Sequence, residues 1–151
     1  MSFTHHLQTQ VHIQATAEQV WSVLMDFERY PKWNPFIRQV VGCAVRGQAL
    51  CVEIQPVGGK PMKFKPTVVQ VEPEREWRWL GKFLFTGLFD GEHYFRLESV
   101  SDGVVLVHGE HFRGLLVPLF RRMLQLQTLP GFEAMNEALR TQVESCARGY
   151  P

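Results

Sequence analysis

Residues 130–146, PGFEAMNEALRTQVESC, decide the fold. Apolar side chains recur at Phe132, Met135, Leu139, Val143 and Cys146, spacings of three and four that put them on one side of an α-helix. Glu133, Asn136, Glu137, Arg140, Thr141 and Glu144 fill the remaining, wet sides. Pro130 stands where the helix begins, a place at which a missing N–H costs no helical hydrogen bond. Such a helix, at the end of a chain whose other segments alternate like strands, needs a sheet to lie on. It closes either a solid core or a cavity. In the second case Phe132, Met135 and Leu139 form the roof, and Val143 and Cys146 pin the far end.

Immediately upstream, Leu116, Leu119, Phe120, Met123 and Leu124 give a second helical stripe with Arg121 and Arg122 outside it. A kink or short break is expected between the two, at Gln127–Gly131. At the other end of the chain, Leu7, Thr9, Val11 and Ile13 alternate with Gln8, Gln10, His12 and Gln14, a half-buried strand preceded by a flexible His5-His6 end. Thr16 with Gln19 fits a capping box, and Val20, Val23, Leu24 and Phe27 mark a short helix. Tyr30-Pro31 and Asn34-Pro35 end it, leaving room for a second helical turn or two. Six more strand-like segments follow, at 36–42, 48–57, 62–72 (irregular at Pro66), 75–85, 89–99 and 104–112. With no repeat, linker or low-complexity stretch, residues 1–151 read as a single α+β domain with a mostly antiparallel meander.

Composition narrows the function. Sixteen Lys and Arg nearly balance fifteen Asp and Glu, so the basic surplus of a nucleic-acid binder is missing and no nucleic-acid partner is expected. No apolar run is long enough to span a membrane, and MSFTHHLQTQ has no secretory character. Cys43, Cys51 and Cys146 are odd in number and lack C-x-x-C spacing; small buried thiols in a reducing, cytoplasmic setting are expected. Eleven Phe, four Trp and three Tyr are the unusual item, filling a core or lining a pocket.

The run ATAEQVWSVLMDFERYPKWNPFI (residues 15–37) carries Ala17, Val20, Trp21, Leu24, Asp26, Tyr30, Pro31, Trp33, Asn34 and Pro35 in order. Trp79 and Gly81 follow, then GLFDGEHYFRLE (87–98), HGEHFRGLL (108–116) and GFEAMNEAL (131–139). Across essentially the whole chain these segments resemble the SRPBCC (START, Bet v 1-like) superfamily, and within it the bacterial polyketide cyclase/dehydrase-like group. The resemblance implies a helix-grip fold: a curved antiparallel sheet of six to seven strands around a long C-terminal helix, with two short helices after strand one. It also implies a hollow between sheet and helix, and ligands of the lipid, isoprenoid, quinone or polyketide type. Other members suggest a cyclase/dehydratase, or a protein-interaction module of co-chaperone or toxin type.

Strand parity supplies the polar candidates. In Phe89–Glu98 the set Phe89, Gly91, His93, Phe95, Leu97 is apolar apart from one histidine. In the next strand Val104, Leu106, His108, Glu110 and Phe112 share a face, so neighbouring antiparallel strands bring His93 near His108 or Glu110. Such a cluster acts as acid and base, anchors the polar end of a ligand, or is a satisfied polar group inside a core. Two histidines and a carboxylate are also iron-ligand types, but no other ligand cluster supports them, so no metal is expected. Trp33, Phe36, Phe64, Trp79, Phe83, Phe85, Phe89, Phe95, Phe112, Phe120 and Phe132 form the aromatic set. With His93, His108, Glu110, Met135 and Leu139, all but Phe85 and Phe112 of this set are the expected ligand-binding residues. Lys60, Lys63 and Lys65 read as a small solvated basic edge. Dinucleotide, phosphate-loop, nucleophile-elbow and metalloprotease motifs are missing, so no cofactor is expected. The partner expected on this reading is a small hydrophobic ligand, on a monomer or homodimer.

Overall fold

The computed structural model describes residues 2–149. Strand β1 (Thr4–Ile13) leads through Thr16 into helix α1 (Ala17–Met25). Thr16 Oγ1 accepts from Gln19 N at 3.2 Å and Gln19 Oε1 accepts from Thr16 N at 2.9 Å, the reciprocal box the sequence predicts. A 3-10 turn (Phe27–Arg29) and the four-residue α2 (Tyr30–Trp33) follow. The buried Tyr30 hydroxyl donates to Leu24 O at 2.6 Å, locking this turn to the end of α1. Asn34 Oδ1 then accepts from the N–H groups of Phe36 and Ile37, starting β2 (Ile37–Val41).

The remaining strands are β3 (Cys51–Ile54), β4 (Met62–Phe64), β5 (Thr67–Glu72), β6 (Glu76–Lys82), β7 (Asp90–Val100) and β8 (Gly103–Arg113). They form a five-stranded antiparallel sheet, β1-β8-β7-β6-β5, and a smaller one, β2-β3-β4. The single strand expected over 62–72 is divided at Lys65-Pro66, where the chain passes from one sheet to the other. Pro66 has no N–H to donate but its carbonyl accepts from Leu50 N at 2.9 Å, and Val68 N donates to Gln48 O at 2.9 Å. With the Ala49–Thr67 bridge, these bonds carry one curved surface across the division.

The C-terminal helix departs from the sequence reading first in its irregularity, which is a π turn rather than a break, and then in its last turn. It runs without a break through α3 (Val117–Met123), a π-helical turn (Leu124–Thr128) and α4 (Leu129–Ala147). Pro130 cannot donate and crowds the preceding turn, and the wider π winding, in which Leu129 N reaches Leu124 O, accommodates it. The Gln127 carbonyl is thereby free to accept Val57 N at 3.1 Å, stitching the β3–β4 turn to the helix. Second, Val143 is buried but Cys146 is exposed, because the helix outruns the sheet at its last turn. Cys43 and Cys51 are exposed too, Cys51 because its neighbour Val52 takes the inward parity of β3. The expectation of buried thiols is therefore corrected.

His5 and His6 are likewise no loose end. They sit in β1 opposite Phe112 and His111, and the His6 ring stacks on His111 with centroids 3.9 Å apart. His6 Nε2 also pairs with the Tyr94 hydroxyl at 2.8 Å, so the outer sheet face supplies the partners that hold this strand. On the inner face, Val20 and Leu24 of α1 and Phe132, Met135, Leu139 and Val143 of α4 pack onto Leu7, Ile13, Trp77, Phe95 and Leu106. That half of the sheet–helix interface is solid.

Candidate functional site

Strands β7 and β8 bring the polar residues together. Their register sets His93 opposite Glu110 and Phe95 opposite His108, all on the inner parity. Glu110 Oε1 lies 3.2 Å from His93 Nδ1, and His93 Nε2 lies 2.8 Å from His108 Nε2. His108 Nδ1 is 2.8 Å from Asn136 Oδ1, and Asn136 Nδ2 donates to Thr9 Oγ1 at 2.7 Å. Thr9 Oγ1 in turn donates to His108 O at 2.9 Å.

The sequence reading missed Asn136 and Thr9 as members of this chain. Residue type puts Asn136 on the wet side of the helix, yet it is 3% exposed. The signal was present: Asn136 follows Phe132 by four residues and precedes Leu139 by three, so it lies on the buried stripe itself.

The far end of the chain fixes its direction. Because Thr9 donates its proton to a backbone carbonyl, its oxygen accepts from the Asn136 amide, which turns Oδ1 toward His108. His108 then carries its proton on Nδ1 and offers a lone pair at Nε2, so His93 donates from Nε2. The remaining lone pair of His93, at Nδ1, calls for a proton on Glu110. Electrostatics agree. Burial lowers His93 to about 3 and raises Glu110 to about 8. Burial, followed by the neighbouring His93, holds His108 well below its ordinary value against an opposing hydrogen bond from Asn136. Near neutral pH the row is a protonated carboxyl and two neutral imidazoles.

Aromatic rings and a glycine hold it in place. Phe95 and Phe132 stack on His108 at 4.4 and 4.3 Å, and Trp79 stacks on His93 at 4.8 Å. An added Cβ at Gly91 would collide with Glu110 Oε2, so the missing side chain is what makes room for the carboxyl. Among the described residues no group of three or more His, Cys, Asp or Glu is placed to hold a metal ion.

These pKa shifts give the fold a pH dependence. Unfolded Glu110 releases its proton near about 4.3, whereas folded Glu110 keeps it to about 8, so stability falls as pH rises between those values. The lowered histidines act oppositely: the unfolded chain takes up protons below about 6.5, and stability falls as pH drops through that value. Between about pH 6.5 and 8 the Glu110 slope stands alone, on the order of 1–2 kcal/mol for a side chain that keeps some solvent contact. Chemical denaturation at the two pH values should show this loss in the wild type. Glu110→Gln should abolish it.

Beside this row lies a cavity of about 470 Å³. Phe36, Phe64, Trp79, Phe83, Phe89, His93, Glu110 and Phe120 line it, together with Ile54, Gly81, Phe112, Met123, Leu124 and Thr128, which the sequence reading did not select. Glu110 faces it with 16% of its side chain exposed. The exposed Lys63 and Lys82 stand at its solvent side. His108, Phe95 and Phe132 are buried behind the wall rather than lining it.

The expected division of the helix is corrected. Met135 and Leu139 are fully buried in the solid half, where Val20 and Leu24 of α1 fill the space. The roof is instead Phe120, Met123, Leu124 and Thr128, from α3 and the π turn. Trp33 stands away from the cavity, edge-on to Tyr30 at 5.2 Å and beside a groove between α1 and the end of α4. Phe85 is exposed outside it.

A curved antiparallel sheet gripping a long helix, with an apolar cavity under the first half of that helix, defines an α+β helix-grip protein of START-like type. The family model described as "Polyketide cyclase / dehydrase and lipid transport" matches residues 4–144, and the chain belongs to that family. No curated protein matches it in sequence. The fold is similar to that of the Zhui aromatase/cyclase from Streptomyces sp. R1128 (TM-score 0.77, 18% identity, 95% of this chain and 96% of that one). A START superfamily protein from Mycobacterium smegmatis gives 0.71 at 22% identity, over 94% and 99% of the two chains. The di-domain ARO/CYC StfQ of the steffimycin pathway gives 0.74 at 13% identity, over 97% of this chain and 52% of that one.

Proposed function

We propose that the protein binds one small, largely apolar molecule in the cavity between the sheet and the first half of the long helix. The observation that carries this reading is an apolar cavity of about 470 Å³ with Glu110 and His93 in its wall. That volume suits a small-molecule site, which typically spans roughly 300–1,000 Å³. With its proton directed to His93, Glu110 offers Oε2 as an acceptor, so a ligand hydroxyl, phenol or enol fits there. An anionic ligand end fits Lys63 and Lys82 at the solvent side better than this neutral corner. Lipid, isoprenoid and polyketide-like molecules with such a hydroxyl meet these demands.

Native mass spectrometry of the chain purified from its own host tests this, followed by extraction of any bound molecule. A retained amphipathic molecule supports the reading. A chain that stays empty and takes up no apolar molecule across those classes contradicts it.

The specific observation favouring a second reading, an acid–base enzyme of cyclase/dehydratase type, is the hydrogen-bonded row behind Glu110. A carboxyl that burial raises to about 8, placed against an imidazole, is suited to exchanging a proton with a bound enol. The similarity to aromatase/cyclases supports it. Turnover that disappears in Glu110→Gln while ligand binding persists would establish it; unchanged turnover would remove it. An interaction module calls for both a contiguous exposed apolar patch and a filled interior; the open cavity favours ligand binding over it.

A further inference from the structure

The cavity mouth is framed by three stretches: 55–71, 77–89 and 111–132. They meet through backbone bonds, Leu115 N to Gly87 O and Leu116 N to Leu88 O on one side, and Val57 N to Gln127 O on the other. Large apolar residues stand out from this rim. Phe83, Leu84 and Phe85 are consecutive and exposed, Leu84 to 79%, and the adjoining helix start exposes Leu115 and Leu119. Leu84 also holds a left-handed backbone at φ 64°, a costly conformation for leucine, at the tip of the β6–β7 loop.

Charge follows the same border. No Asp or Glu falls within the three stretches; of their cations, Arg78 turns to Glu76 and Glu92 on the outer sheet face and Arg121 to the Ser2 carbonyl, so neither belongs to this border. Lys60, Lys63, Lys65, Lys82 and Arg122 are exposed among the apolar residues. In a chain of net charge +1, this one-sided distribution is a cationic, apolar-tipped face.

We propose that this face, the Phe83–Phe85 tip with its lysine surround, docks the protein reversibly on an anionic lipid surface with the cavity mouth toward the bilayer. Apolar side chains enter the headgroup boundary while each nearby cation gains from the negative surface potential. Two copies of the same face would set lysine against lysine across a two-fold axis, which disfavours a self-dimer. Among the described residues no helix is long and apolar enough to cross a membrane, so the attachment is peripheral. The face stands whether or not the cavity holds a ligand.

Sedimentation of the full chain with phosphatidylcholine vesicles, with and without phosphatidylglycerol, tests the proposal. Binding should be roughly tenfold stronger on the anionic vesicles and should weaken as salt is raised. Leu84→Glu and Lys60→Glu should each reduce it several-fold without changing the melting temperature, since both sites are exposed. Leu84→Trp should add a fluorescence component that brominated lipid quenches. Equal binding by Leu84→Glu would overturn the proposal. So would a wild-type chain left in the supernatant, whether the face then meets a second copy, read as a dimer on sizing, or an acidic protein.

Discussion

Phe132→Ala is expected to lower the unfolding free energy by about 3–5 kcal/mol, the range for removing a fully buried aromatic ring. Phe132 has no exposure, sits edge-on to Phe36 at 5.4 Å and to His93 at 5.0 Å, and stacks on His108 at 4.3 Å. The ring lies behind the cavity wall, packed against both imidazoles of the hydrogen-bonded row. Its loss leaves a void against two imidazoles that were held dry, so water gains access to groups whose proton affinities depend on burial. At roughly 2–4 °C per kcal/mol for a chain of this size, the melting point should drop by about 10 °C. Phe85→Ala, at an exposed ring outside the cavity, should change stability by no more than about 0.5 kcal/mol. Similar melting points for the two variants would show that Phe132 is not the packing centre assigned to it.

Gly81→Leu should remove ligand binding and leave the fold intact. Gly81 shares the inward parity of Trp77 and Trp79 on β6 and lines the cavity. A Cβ there meets the Phe64 ring at 3.5 Å, ordinary contact, so a larger side chain is admitted and grows into the open space. Titration with 1-anilinonaphthalene-8-sulfonate, an apolar probe with one anionic group, reads the effect. The dissociation constant should rise at least about tenfold, the equivalent of about 1.4 kcal/mol, while the near-ultraviolet circular dichroism is retained. Equal affinity would place the probe outside the cavity.

Periodicity carried most of the fold, and the exceptions have local causes. Alternation on β7 and β8 placed His93, His108 and Glu110 on one face, because side-chain parity in a half-buried strand is read directly from residue type. The division at Pro66 and the π turn before Pro130 depend on where a proline's missing N–H falls in a ladder or a helix. The sequence marks the proline but not the accommodation. Cavity membership was legible for Phe64, Trp79, Phe83 and Phe89, but not for Phe95, which lies behind the wall, or Phe112, which lines it. It was not legible for the helix, whose stripe is equally apolar over the solid half and the hollow half. What separates them is α1, which fills the space under Met135 and Leu139 and leaves that under Met123 and Leu124 open. Asn136 shows the cost of reading polarity as exposure: the stripe spacing included it, and a buried partner satisfies it.

The central claim is that a neutral, proton-bearing Glu110 forms the polar corner of a ligand cavity. Carbon-detected NMR of the Glu110 carboxyl across pH, in the free chain and in one saturated with the anilinonaphthalene probe, tests it most directly. A midpoint near 8 in the free chain, shifted when the probe fills the cavity, is the predicted result. A midpoint at the ordinary carboxyl value of about 4.3, unchanged by the probe, would contradict it.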